Sequence, residues 1–122
     1  MSAKFDVYVD RGVVVVAHVG NLQFDQTNKA IIAAVEAARN VGSKRVLFDL
    51  RRAQLANYYS YSVRHAELAP ELGLDTGYKL AVVGAPEAHD ILSFMVRVAR
   101  NRGWRCRCFF DVGRALKWLG GI

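Results

Sequence analysis

Residues 46–62, VLFDLRRAQLANYYSYS, gather most of the side chains in this sequence that could do chemistry. Asp49 ends an apolar, strand-like segment, Arg51 and Arg52 follow, and Tyr58, Tyr59 and Tyr61 alternate with Ser60 and Ser62. A carboxylate leaving a buried strand can fasten a loop by accepting charge-assisted hydrogen bonds. Arginines present planar donors to anions, and tyrosines offer rigid apolar area with a polar tip. Helix starts and strand carboxyl ends gather on one rim of a parallel sheet, where ligands favour binding. That rim would take in Gly20 and Asn21, the 49–62 loop, residues 84–89, Phe110 and Asp111. The expected binding residues are Asp49, Arg51, Arg52, Tyr58, Tyr59, Tyr61 and His89, which together suit a small apolar or anionic ligand or a partner protein. Ser60 and Ser62 are the candidate phosphorylation sites.

Catalysis is a poorer match to the same residues. The only histidines are His18, His65 and His89. His18 falls mid-strand, where packing is expected, and His65 is expected to project from the second helix. His89 falls in the first turn of the third helix and shares the rim with Asp49. A His–Asp pair without a nucleophile or metal cluster is a weak enzyme signature, so no catalytic residue is assigned and a non-enzymatic protein is expected. Cys106 and Cys108 share one face of a strand about 6.6 Å apart, whereas a disulfide needs Cβ atoms about 3.8 Å apart. They read as two reduced thiols and fall short of a four-ligand zinc set. No metal or cofactor is expected.

At 122 residues and 52% hydrophobic, the chain fits one domain, residues 1–122, with a well-filled core. No run approaches the roughly 18 apolar residues that span a bilayer. The opening MSAKFDVYVD lacks the apolar stretch of a signal peptide, so a cytoplasmic protein is expected. The whole net charge of +6 resides in residues 97–117, where seven arginines and lysines face the single acid Asp111. Such a patch can draw an anionic partner, but it also protects a sheet edge. With no nucleic-acid motif beside it, nucleic acid is disfavoured as the partner.

The periodicity alternates between strand and helix. KFDVYVD (4–10) alternates apolar and polar, Arg11-Gly12 makes a turn, and GVVVVAHVG (12–20) reads as a strand buried on both faces. A helix is expected from Asp25 as N-cap, with Ile31, Ile32, Val35 and Ala38 buried and Gly42 ending it. KRVLFDL (44–50) is the third strand. A helix over about 60–69 follows, capped from Asn57, Ser60 or Ser62 and stopped by Pro70. GYKLAVVG (77–84) is the fourth strand, and Pro86 opens a helix whose buried stripe is Ile91, Phe94, Met95 and Val98. WRCRCFF (104–110) is the fifth strand, before a short helix capped by Asp111. The order ββαβαβαβα predicts an α/β domain with a mixed, mostly parallel five-stranded sheet and helices on its faces.

That order, with GVVVVAHVG, RVLFDLR, YKLAVVGAP and the closing FFDVGRALKWL, resembles the STAS domain family: the SpoIIAA-like anti-sigma factor antagonists and the small bacterial STAS/SEC14-like proteins. The resemblance covers the whole chain and rests on spacing, including Phe109, Asp111, Ala115, Trp118 and Leu119. It implies binding or regulation rather than catalysis. In the switch members a phosphorylatable serine or threonine directly follows an aspartate at the third strand's exit. Asp49 occupies the aspartate position here, and Leu50, Arg51 and Arg52 come next. The alternative partner is a second copy of this chain, with the rim buried between subunits.

Overall fold

In the computed structural model, which describes residues 4–55 and 58–120, the opening hairpin pairs β1 (Lys4–Asp10) with β2 (Val13–Asn21). Asp10 faces Val13, so the loop is the two residues Arg11 and Gly12. Their φ angles are +54° and +78°, the doubly left-handed turn whose twist matches the flanking strands. The four valines of β2 then divide between two cores. Val14 and Val16 point to one face of the sheet, and Val13 and Val15 to the other, all at most 1% exposed.

The chain continues through α1 (Phe24–Val41), β3 (Arg45–Gln54), α2 (Tyr58–Leu68), β4 (Lys79–Val83), α3 (His89–Asn101), β5 (Arg105–Phe109) and α4 (Val112–Trp118). A 3-10 turn at Ala69–Leu72 carries Pro70 beyond α2, and another at Pro86–Ala88 leads into α3. Sheet order follows the sequence, β1 to β5, with β2 through β5 parallel. Right-handed crossovers that always step in one direction must lay their helices on one face. Accordingly Ala30, Ile31, Ala34 and Val35 of α1 and Ile91, Leu92 and Val96 of α3 bury against Val46, Leu80, Val82 and Cys106. On the opposite face, among the described residues, α4 alone caps the core, where Ala115 and Leu116, with Leu119 just beyond them, cover Val13, Val15, Leu47, Ala81 and Val83.

The expected class and element order hold, with local corrections. Gln23, not Asp25, occupies the N-cap position of α1, and Asp25 lies in its first turn. Gly42 ends that helix at φ +66°, its N–H directed at the carbonyls of Ala38 and Arg39. Ser60 and Ser62 lie inside α2 rather than capping it, and Asn57 lies outside the described residues. Ile32 is half exposed. In α3 the buried positions are Ile91, Leu92 and Val96, while Phe94, Met95 and Val98 are half-buried. Strand β3 runs four residues past its expected end at Leu50.

Candidate functional site

The extension of β3 changes the setting of Asp49. Beside β2 the pairing moves from Ala17 with Asp49 to Val19 with Arg52, so β3 contributes one extra residue to the ladder. Such a bulge bends a strand and re-aims its side chains. On the other side Asp49 pairs with Val83, the last residue of β4. By alternation from Leu47, Asp49 faces the α4 layer. There Arg51 donates from Nε to Oδ1 at 2.9 Å and from Nη2 to Oδ2 at 2.8 Å, and its backbone N–H reaches Oδ1 at 3.2 Å. Burial alone would push the Asp49 carboxyl up, but the Arg51 hydrogen bonds and the charges of Arg51 and Arg52 outweigh it and hold it below the usual range. The Asp49 side chain is 12% exposed and that of Arg51 51%, so the arginine presents its outer edge to solvent while the carboxylate anchors it. Arg51 also feels Tyr8 and Asp111, and Arg52 is exposed.

Tyr58 belongs to a different environment. It is 5% exposed, on the face covered by α1–α3, and its hydroxyl is 2.7 Å from His65 Nδ1. His65 Nε2 lies 3.1 Å from the carbonyl oxygen of Phe24, which can only accept. The proton therefore sits on Nε2, and Nδ1 accepts from Tyr58. The ring stacks on Phe24 at 4.4 Å, the Tyr58 ring lies 5.4 Å away, and Arg64 lies over Phe24 at 4.1 Å. Burial pushes the pKa of His65 down, opposed by its bond to Phe24 and aided by Arg64. His65 was expected to project outward, and instead it is 6% exposed. The signal was present: Tyr58, Ser62, His65 and Ala69 recur at helical spacing, and all four are buried.

The remaining residues are on the surface. Tyr59 is 48% exposed and packs at 5.2 Å against Phe94 of α3. His89 is exposed at the start of α3, 6.1 Å from the half-exposed Phe110, and its Nε2 approaches the Ser93 hydroxyl at 3.5 Å. Because Ser93 adjoins Phe94, these groups form a broken row, Tyr59, Phe94, Ser93, His89 and Phe110, along one end of the α2–α3 layer. Tyr61 instead leans on Phe24 at 5.9 Å and lines a rim pocket of about 430 Å³ with Gln23, Asp25 and Arg64. The seven expected binding residues thus do not share one crevice. Asp49 and Arg51 lie on the α4 face, Arg52 is exposed on β3 and Tyr58 lies in the opposite core, while Tyr59 and His89 stand in the surface row and Tyr61 in the rim pocket. Phe94 was expected in the buried stripe of α3 and Phe110 on the rim; folding places Phe94 beside Tyr59 and Phe110 beside His89.

Ser62 is 6% exposed and donates to the Tyr59 carbonyl at 2.9 Å, whereas Ser60 is exposed. Cys106 and Cys108 are free thiols, and burial pushes that of Cys106 up to about 12. Among the described residues no three acidic, histidine or cysteine side chains are placed to hold a metal ion. No helix among them is long and apolar enough to cross a membrane.

No family model and no curated protein matches this sequence. Among solved structures, an anti-sigma factor antagonist from Mycobacterium paratuberculosis superposes with a TM-score of 0.67 at 18% identity, over 98% of this chain and 95% of that one. A DUF3478-family protein from Shewanella loihica PV-4, described as having a SpoIIAA-like fold, gives 0.59 at 19% identity, over 96% and 93%. The chain has the SpoIIAA-like fold. SpoIIAA itself, an anti-sigma factor antagonist in its unphosphorylated form, gives 0.53 at 14% identity, over 98% and 100%. In this version of the SpoIIAA-like fold, the residue after the aspartate is Leu50, 3% exposed and part of the core beneath α1–α3.

Proposed function

We propose that this chain is a non-enzymatic, cytoplasmic regulatory module that binds a partner protein through the exposed end of its α2–α3 layer. The carrying observation is the row from Tyr59 through Phe94 and His89 to Phe110, in which Tyr59 and Phe110 stay 48% and 45% exposed. Aromatic side chains in that position are typical anchors of protein interfaces. Arg52 of β3 and Arg64 of α2 are exposed, which fits a partner segment with apolar anchors and acidic flanks. The likeness in fold to two anti-sigma factor antagonists supports a regulatory role in protein binding. A small anionic ligand fits less well, because Asp25 shares the rim pocket with Arg64.

Affinity capture from cell extract with the wild-type chain and with Tyr59→Ser/Phe110→Ser tests this reading. A partner retained by the wild type and lost by a folded double variant supports it, and equal retention overturns it. A dimer that dissociates on dilution and on Tyr59→Ala would identify the partner as a second copy of the chain.

If phosphorylation regulates the module, Ser60 is the site we assign. It is exposed in the first turn of α2, where the helix end favours negative charge, and Arg64 follows one turn later. The Ser62 hydroxyl is buried and engaged. Phosphopeptide mapping after incubation in extract should place phosphate on Ser60, and phosphate on Ser62 alone would overturn the assignment.

A further inference from the structure

Behind α2 the layer between the sheet and helices α1–α3 holds a partly open cavity of about 100 Å³. That is several times the roughly 10–15 Å³ a single water requires but about two-thirds of the roughly 150 Å³ that admits benzene, so an aromatic ring fits only by reaching into the cavity's open side. Its walls are mostly apolar, with Phe48 and Leu50 from β3, Val82 from β4 and Met95 from α3. The polar side chains in the wall are almost all engaged. Thr27 donates to the Gln23 carbonyl, Ser62 donates to the Tyr59 carbonyl, and Tyr58 is tied through His65 to Phe24.

His18 is the exception. It comes from the centre of β2, is 3% exposed and lines the cavity. Its one ring contact is with Phe5, at 6.3 Å, and among the described residues none is hydrogen-bonded to its ring nitrogens. Its ring nitrogens are not sealed off but open to the cavity, so a polar group that enters can satisfy them.

We propose that this cavity is a binding site for a small neutral molecule of about the size of phenol, an apolar body bearing one hydroxyl, with His18 as its hydrogen-bonding partner. Neutral imidazole offers one donor and one acceptor nitrogen, and a hydroxyl can meet either. His18 is neutral at pH 7, because burial and then the proximity of His65 lower its pKa to about 4. An ionic ligand would be left without a counter-charge in an apolar wall, since the Asp49 carboxylate is held by Arg51 on the other face of the sheet. Ala66 of α2 and Met95 of α3 both line the cavity, and an unbranched methionine can shift to admit a ligand between the two helices.

The test is an NMR titration of the full, isotope-labelled chain with phenol, with toluene as the isostere lacking the hydroxyl, and with benzoate as the charged analogue. Phenol is expected to shift the signals of Leu50, Met95 and the His18 ring and to bind roughly 5-fold more tightly than toluene, the worth of one net hydrogen bond. Benzoate is expected to leave those signals unmoved. His18→Leu should abolish the preference for phenol while toluene still binds, and Ala66→Leu should exclude both. Equal affinity for phenol and toluene in the wild type would overturn the proposal, as would shifts confined to the surface or no shifts at all. The wild-type comparison decides the matter even where a variant does not fold.

Discussion

Arg51 grips Asp49 two positions back along the same strand, through Nε at 2.9 Å and Nη2 at 2.8 Å. Residues two apart on a strand share a face, the bulge in β3 adjoins the pair, and β4 ends directly opposite Asp49. Asp49 is therefore an anchor that sets the direction of an exposed guanidinium.

Replacing Asp49 with alanine should destabilise the fold by about 1–2 kcal/mol, the effect of a charge-assisted bond with one half-exposed partner. The carboxyl is held below its unperturbed value of 3.8, so its contribution is complete above that pH and is lost as pH falls below it. Urea midpoints at pH 7 and pH 3 check this. The wild type should lead Asp49→Asn at pH 7, and that lead should shrink at pH 3.

Acid should also weaken the fold through its buried histidines. His18 titrates near 4 in the folded chain against 6.5 unperturbed, and His65 is shifted in the same direction. Between those values the unfolded chain takes up protons that the folded chain refuses, so stability falls as pH drops from 6.5 towards 4. One such histidine contributes a slope of up to about 1.4 kcal/mol per pH unit. Denaturation midpoints between pH 7 and pH 4.5 should decline in the wild type and decline less in His18→Leu. A flat wild-type profile would count against buried, neutral histidines.

Gly84 stands where a side chain has no room. A Cβ there would lie 2.7 Å from Leu92 Cδ1, and Leu92 is fully buried. Gly84→Ala should cost about 1–3 kcal/mol through overpacking. A double-mutant cycle with Leu92→Ala should show that the penalty shrinks once Leu92 is truncated, because the two residues are in contact.

Asp111 caps α4 by accepting from the Gly113 N–H at 3.1 Å. Asp111→Ala should cost about 1 kcal/mol and speed hydrogen exchange of the α4 amides ahead of those in α1. Among the described residues α4 alone caps the Val13, Val15 and Leu47 face, so fraying there exposes core.

The architecture was legible because each element carries its own period. The run Val13–Val16 announced a strand buried on both sides, and Gly42, Pro70, Pro86 and Asp111 marked helix ends by local backbone chemistry. Adjacent apolar residues were harder to resolve. Ile31 and Ile32 fit one stripe equally well until the sheet chose Ile31. The candidate site was less legible still, since the bulge beside Asp49 depends on register with β2, which no local pattern in β3 encodes. The same holds for the row of surface aromatics, which joins Tyr59 to residues of α3 and of the bend after β5 far along the chain. Tyr58 and Tyr59 show the limit most clearly. They are identical neighbours in sequence, yet one closes onto His65 in the core and the other faces solvent.

The partner-binding proposal is tested most directly by a photo-crosslinking residue placed at position 59 in cells, with position 32 as the control. Ile32 is as exposed as Tyr59 but sits on α1. The expected result is a crosslink to a different protein from position 59 and none from position 32. Crosslinks from position 32 alone, or none from position 59 in a folded chain, would contradict the account.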